Sequence, residues 1–260
     1  MDTVVSTRWV EPTDYESLAA RLQQKNALAL ASLAASRGVQ PRAIDLGCGT
    51  GFLAEQILLQ QVSREVTCVD LSQEMLATAK AKATLRDQTF VCASILDLDL
   101  PATFDLVCSN AALHWLYPRY RETFQAARRL TRDGGLFAFA MAGECAASRL
   151  FDDRIEAAFS SVGRPQDPIP FRERRITVAA AERLCVAAGF VVEDAFLIDR
   201  SVEMDARDYA HWLIASGGPW GAAVQQQGEI VADLVAALAP AGETVETGHW
   251  STLVIARAVP

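Results

Sequence analysis

The chain has 260 residues, 51% of them hydrophobic, which is enough to bury one sizeable core and points to a single α/β domain with insertions rather than two independent domains. A formal net charge of −8 argues against nucleic acid or an anionic membrane as partner. No charged-then-apolar leader opens the chain, and the longest strictly apolar run, Leu136 to Ala142, is far short of the roughly 20 residues a membrane helix needs, so a cytoplasmic protein is expected.

Taken in order, Tyr15 to Ala35 reads as one helix with Leu18, Leu22, Ala29 and Leu33 near one face. Ala43 to Gly51, A-I-D-L-G-C-G-T-G, then reads as a short buried strand, a tight turn of alternate glycines and the start of a helix over Phe52 to Gln61. A second strand, Glu65 to Val69, ends in Asp70. Ser72 is placed to cap a helix over Gln73 to Leu85. Thr89 to Cys92 and Phe104 to Asn110 read as the third and fourth strands. Pro118 fits the first turn of a helix ending near Thr131, and Asp133-Gly134-Gly135 fits a turn into the strand Leu136 to Met141. The alternation then stops. A charged helical piece around Phe151 to Phe159 and the proline-dense G-R-P-Q-D-P-I-P-F form one insertion. Helix Val178 to Ala188 and strand Phe190 to Val202 follow. Helices over Ala206 to Ala215 and Gln225 to Leu238, separated by a glycine loop, form a second insertion before the last strand, Ser251 to Ala258.

The six cysteines include no CxxC pair, and Cys68, Cys92 and Cys108 sit in strand-like runs, so all read as reduced core residues. His114, His211 and His249 are too scattered for a metal site, and no bound metal is expected.

The chemistry concentrates in the glycine turn. The dinucleotide fingerprint G-x-G-x-x-G is not met, because the third glycine arrives one residue early and Phe52 takes its place. Asp45, at the carboxyl end of the first strand, would repel a pyrophosphate and attract an ammonium or sulfonium group. Asp70 ends the second strand, where such folds place the acid that bonds a ribose. The pair, with D-L-G-C-G-T-G between strand and helix, resembles the S-adenosylmethionine-binding motif of the class I methyltransferases. F-D-L-V at Phe104 matches that family again, and Y-E-S-L at Tyr15, followed by Leu22-Gln23-Gln24, looks like the amino-terminal helix of its trans-aconitate and malonyl-acyl-carrier-protein group.

That resemblance implies a Rossmann-like, doubly wound, seven-stranded, mostly parallel sheet with its last strand antiparallel. It carries a helical cap made by insertions. The core would be about 40–142, 176–203 and 248–260, and the cap about 1–39, 143–175 and 204–247. It implies S-adenosyl-L-methionine as cofactor, leaving S-adenosyl-L-homocysteine, with Asp45, Gly47, Cys48, Gly49, Gly51, Asp70, Leu71, Met75, Ser94, Ile95 and Asn110 around it. Relatives commonly have an acid at the position of Ser94, which departs from the pattern.

A sulfonium methyl is already electrophilic, so the protein must align the acceptor and exclude water, adding a base only where the acceptor holds a proton. His114, just past the fourth strand, is the histidine that could serve as one. Tyr15, Gln23, Trp115, Arg119, Arg172 and Arg175 are the candidates for holding the acceptor, a small molecule or a carrier-bound acyl group. The arginines favour a carboxylate. The alternatives are carbon or nitrogen methylation, or a protein that binds the donor without transferring its methyl. Oligomeric state is not encoded in any of these features.

Overall fold

The computed structural model describes residues 23–101, 103–161, 170–215, 227–239 and 244–260. Seven strands form one sheet: β1 (Arg42–Leu46), β2 (Glu65–Asp70), β3 (Thr89–Cys92), β4 (Phe104–Asn110), β5 (Thr131–Ala142), β6 (Phe190–Asp205) and β7 (Thr244–Ala258). Their order is β3-β2-β1-β4-β5-β7-β6. β1 to β5 pair in parallel, and β7 runs antiparallel to both β5 and β6, as the resemblance implied.

The faces follow from side-chain alternation. Ala43, Cys68, Leu106, Cys108, Ala138 and Ile255 point toward α1 (Gln24–Ala35), α2 (Phe52–Leu59) and α3 (Gln73–Ala81). Ile44, Val69, Val107, Phe137, Phe139 and Val254 point toward α4 (Tyr120–Leu130) and α6 (Val178–Ala187). On this second face Phe124, Phe137, Phe139 and Phe190 interlock at ring separations of 4.7–5.6 Å. Phe124 meets Phe137 and Phe139 edge-on, a geometry that stabilises beyond the area buried.

Several boundaries differ from the sequence reading. Helix α1 begins at Gln24 with Gln23 before it, so the expected helix is helical over its second half, and Tyr15 lies outside the described residues. α3 stops at Ala81 instead of Leu85. α4 begins at Tyr120, leaving Pro118 ahead of it. The Asp133-Gly134-Gly135 turn is an irregularity inside β5, where the register jumps between the Phe104–Thr131 and Leu106–Leu136 pairs and Gly134 takes φ 74°. Cys92, expected in the core, is exposed, because β3 is an edge strand with little covering it. The proline-dense stretch and the glycine loop of the second insertion fall mostly or wholly outside the described residues.

β6 and β7 are both longer than expected. β5 ends opposite Ser251, whereas the β6–β7 ladder continues from Asp199–Trp250 to Asp205–Thr244, a two-stranded ribbon reaching roughly 20 Å past the sheet. At its tip, α7 (Ala206–Ala215) and α8 (Gln227–Leu238) pack with α5 (Ala146–Ser161) around Ile155, Phe159, Met204, Tyr209, Leu213, Leu234 and Val245. This third cluster is separate from the two on the sheet.

Candidate active site

The strand order reverses at β1, which has β2 on one side and β4 on the other, so a crevice opens beyond the carboxyl ends of β1 and β4. The glycine turn stands there. Gly47, Gly49 and Gly51 have φ of 69°, 54° and 85°, all left-handed. They do different things. A Cβ on Gly47 would lie 2.3 Å from Ala112 Cβ, and one on Gly51 2.5 Å from Leu85 Cδ1, whereas one on Gly49 would meet nothing of the described residues within 4 Å. Gly47 and Gly51 permit packing; Gly49 faces open space.

The two acids frame that space. Asp70 Oδ2 accepts from Gly49 N–H at 2.8 Å and its Oδ1 from Ser72 N–H at 2.9 Å, tying the end of β2 to the turn. Burial raises its pKa, and bonds from Ser72 and Gly49 partly oppose the rise. Asp45 is 1% exposed. Its Oδ2 accepts from Ala54 N–H at 3.1 Å, satisfying a free amide at the start of α2, while its Oδ1 has no partner among the described residues. Burial pushes its pKa up to about 7 against that bond, with the nearby charge of Asp70 adding to the rise.

Two more oxygens are stranded here. Thr50 Oγ1 and Asn110 Oδ1 are buried without a partner among the described residues, while Asn110 Nδ2 donates to the Gln23 carbonyl at 3.2 Å. An unpaired buried polar group costs about 1–3 kcal/mol, so three of them around one turn mark a place for a ligand with matching donors. The next residue, Ala111, has φ 58°, a conformation that non-glycine residues adopt mainly where structure forces it.

The remaining expected donor-site residues are spread along this edge. Leu71 is exposed beside Asp70, an apolar surface at the crevice. Ser72 caps α3 as expected, its Oγ accepting from Met75 N–H at 3.2 Å, and Met75 itself is buried. Ser94 Oγ accepts from Leu96 N–H at 3.2 Å and holds a short 3-10 turn, Ile95–Asp97. Ile95 is buried alongside Gly47. Cys48 is buried, and contact with Cys68 and then burial raise its thiol pKa.

On the far side, His114 and Trp115 lie in a 3-10 turn, Leu113–Leu116, with ring centroids 4.9 Å apart and Phe171 5.7 Å from each. The Arg174 guanidinium sits over the Trp115 ring at 5.3 Å. His114 is buried, and its Nδ1 accepts from Ala142 N–H at 3.4 Å, which places the ring proton on Nε2. Burial first, then Arg175 and Arg174, push its pKa down to about 3. A ring held neutral with its free nitrogen protonated is a hydrogen-bond donor, and the surroundings do not support its expected use as a base.

The expected arginines are engaged elsewhere. Arg175 grips Asp152 of α5 through Nε at 2.6 Å and Nη2 at 2.8 Å, the two side chains only 6% and 5% exposed. Arg172 pairs with Asp153 and Glu156 of the same helix, each at 3.2 Å. Arg119 is exposed, 3.9 Å from Glu122. Basic residues read as acceptor anchors are thus largely ties to the cap, an outcome invisible until α5 is placed beside them.

Residues 44–139 match a family model described as a methyltransferase domain. The match takes in the glycine turn, Asp45 and Asp70. Among curated proteins, the chain is 37% identical over 136 residues to the malonyl-[acyl-carrier protein] O-methyltransferase of Geobacter sulfurreducens, covering 50% of this chain and 49% of that one. It is 32% identical over 184 residues to the biotin biosynthesis bifunctional protein BioHC of Saccharophagus degradans, covering 70% of this chain and 31% of that one. The chain spans half or less of the length of these relatives. Among solved structures, the phosphoethanolamine N-methyltransferase 2 of Haemonchus contortus, in complex with phosphomonomethylethanolamine and S-adenosylhomocysteine, shares the fold. Its TM-score is 0.59 over 96% of this chain and 57% of that one, at 17% identity.

Thr50 was not singled out by sequence reasoning, although it stands inside the glycine motif. The contacts of Asn26 with Ser251 and His249 carry no sequence signal, since they form only when α1 lies against β7.

Proposed function

We propose that this protein is a methyltransferase that uses S-adenosyl-L-methionine to methylate a carboxylate oxygen of a small or carrier-bound acceptor. The observation that carries the reading is His114. It is the histidine expected at the crevice, and it is held as a neutral donor with no free basic nitrogen. A phenol, alcohol or carbon acid would need its proton removed, whereas a carboxylate arrives ionised and needs only to be oriented and stripped of water. The relatives named as malonyl-[acyl-carrier protein] O-methyltransferases support the same acceptor class.

The donor fits the crevice on this chain's own residues. Asp70 has lone pairs left for ribose hydroxyls beyond the two amides it binds, and Gly49 leaves room for the ligand against the backbone. Asp45 Oδ1 and Asn110 Oδ1 offer acceptors to a cationic or N–H-bearing group, and Leu71 offers an apolar surface to a base. When bound, the donor supplies an electrophilic methyl; the chain binds, orients and excludes water.

The test is a donor-consumption screen across carboxylic acids, acyl-carrier thioesters and phenols, with the product identified as ester, ether or amine. His114→Ala should keep the rate at neutral pH within about tenfold, below the usual loss for a general base. Abolished transfer with intact donor binding would instead put a proton on the acceptor.

A further inference from the structure

With Arg172 and Arg175 tied to α5, the question is which cation is left to meet an anionic acceptor. The opposite wall supplies one. Arg200 lies on the ribbon part of β6, paired across the ladder with His249, and is partly buried. Its Nη1 donates to Asn26 Oδ1 at 3.5 Å, and no carboxylate of the described residues pairs with it.

That contact sets the whole cluster. A guanidinium can only donate, so Asn26 must turn Oδ1 toward Arg200 and Nδ2 toward β7. Nδ2 then donates to Ser251 Oγ at 2.8 Å and to His249 Nε2 at 3.1 Å. A ring nitrogen receiving an N–H carries no proton, so the proton of His249 is on Nδ1. Burial, then Arg175 and Arg200, push its pKa down to about 4, and it stays a neutral donor at physiological pH. Asn26 is in the first turn of α1, next to the Gln23 carbonyl that holds Asn110, and His249 is near enough to His114 to help depress its pKa. The seam between α1 and the ribbon is therefore continuous with the crevice.

We propose that Arg200, with the Nδ1–H of His249 beside it, anchors the acceptor's carboxylate in this seam. Asn26 acts as the positioning residue that holds both. The inference rests on the carboxylate reading above. Asn26 is 1% exposed and already satisfied by protein groups, so it contributes orientation, while Arg200 keeps N–H groups that meet no acceptor among the described residues. The acceptor class is a small carboxylate or dicarboxylate, or a carrier thioester ending in one.

Malonate is titrated calorimetrically into the full chain saturated with S-adenosylhomocysteine. In Arg200→Gln its Kd should rise by about 10- to 100-fold, the span for losing a charge-assisted contact, with partial recovery in Arg200→Lys. Binding of S-adenosylhomocysteine should be unchanged, and Arg119→Gln should match wild type. Unchanged malonate affinity in Arg200→Gln, or no malonate binding by wild type, overturns the anchor. Should the substitution disturb the fold, wild type supplies a second readout: malonate should protect Arg200 from phenylglyoxal, and an absence of protection overturns the proposal. If malonate binding depends on Arg200 but no carboxylic acid yields a methyl ester, the anchor stands and the O-methylation reading falls.

Discussion

Asp45 has two oxygens with opposite situations, one capping α2 and one stranded at the crevice. Its pKa is raised from 3.8 unfolded to about 7 folded, so between these values the folded chain holds a proton that the unfolded chain releases. Its contribution to stability therefore falls as pH rises through that window. Binding a cation reverses the balance, since it favours the ionised form. Affinity for S-adenosylmethionine should weaken as pH drops below about 7, by up to roughly tenfold per unit, and less steeply for S-adenosylhomocysteine, which lacks the sulfonium charge. Calorimetry across this range checks it, and parallel curves for the two ligands would remove Asp45 from the site. The glycines of the same turn should separate likewise. Gly47→Ala drives a methyl into Ala112 and should lower Tm, while Gly49→Val should abolish donor binding with a smaller loss of stability, its side chain entering the open space. Asp70→Ala should weaken donor binding by about 1.5–3 kcal/mol and also release the Gly49 amide. The left-handed turn and the two acids beside it were legible because turn conformation and strand-end position are local properties. The surroundings of His114 and Arg175 were not, since both depend on what burial and a distant helix bring to them.

Among the elements, α5 is attached to the core by a buried ion pair. Removing one partner of such a pair leaves a charge enclosed and typically costs about 3–5 kcal/mol, while replacing both by apolar groups can cost little. Asp152→Ala should therefore lower Tm sharply and speed hydrogen exchange in α5, and the double change Asp152→Leu with Arg175→Met should recover most of the loss. If the double variant is as unstable as the single one, the pair is not what holds α5. The length of β6 and β7 is the element-level feature that sequence understated. Val202 and Met204 alternate with acids, and Val245 and Thr247 do the same on the partner strand, a period-two pattern that continues past the point where the expected core ended. The pattern was present but read as insertion, because it borders helices and a glycine-rich stretch.

At the scale of the molecule, the sheet order and strand directions were implied by one motif and its family, whereas the placement of the cap and the seam beneath it came only from three-dimensional pairing of α1, β6 and β7. The ribbon has a further consequence. Its two strands leave the sheet side by side and would still be side by side if the chain turned back at Asp205 and Thr244, so everything between these residues is a graft on a hairpin stem. Replacing 206–243 by an Asn-Gly turn closes the ladder without changing its register. Such a variant should keep donor affinity, because the glycine turn, Asp45 and Asp70 lie on strands that the cut never touches. We propose that α7 and α8 roof the acceptor, so the variant should lose transfer. Donor recognition and acceptor choice would then be separately inheritable parts, and exchanging the graft between relatives is the route by which one sheet could come to serve many acceptors.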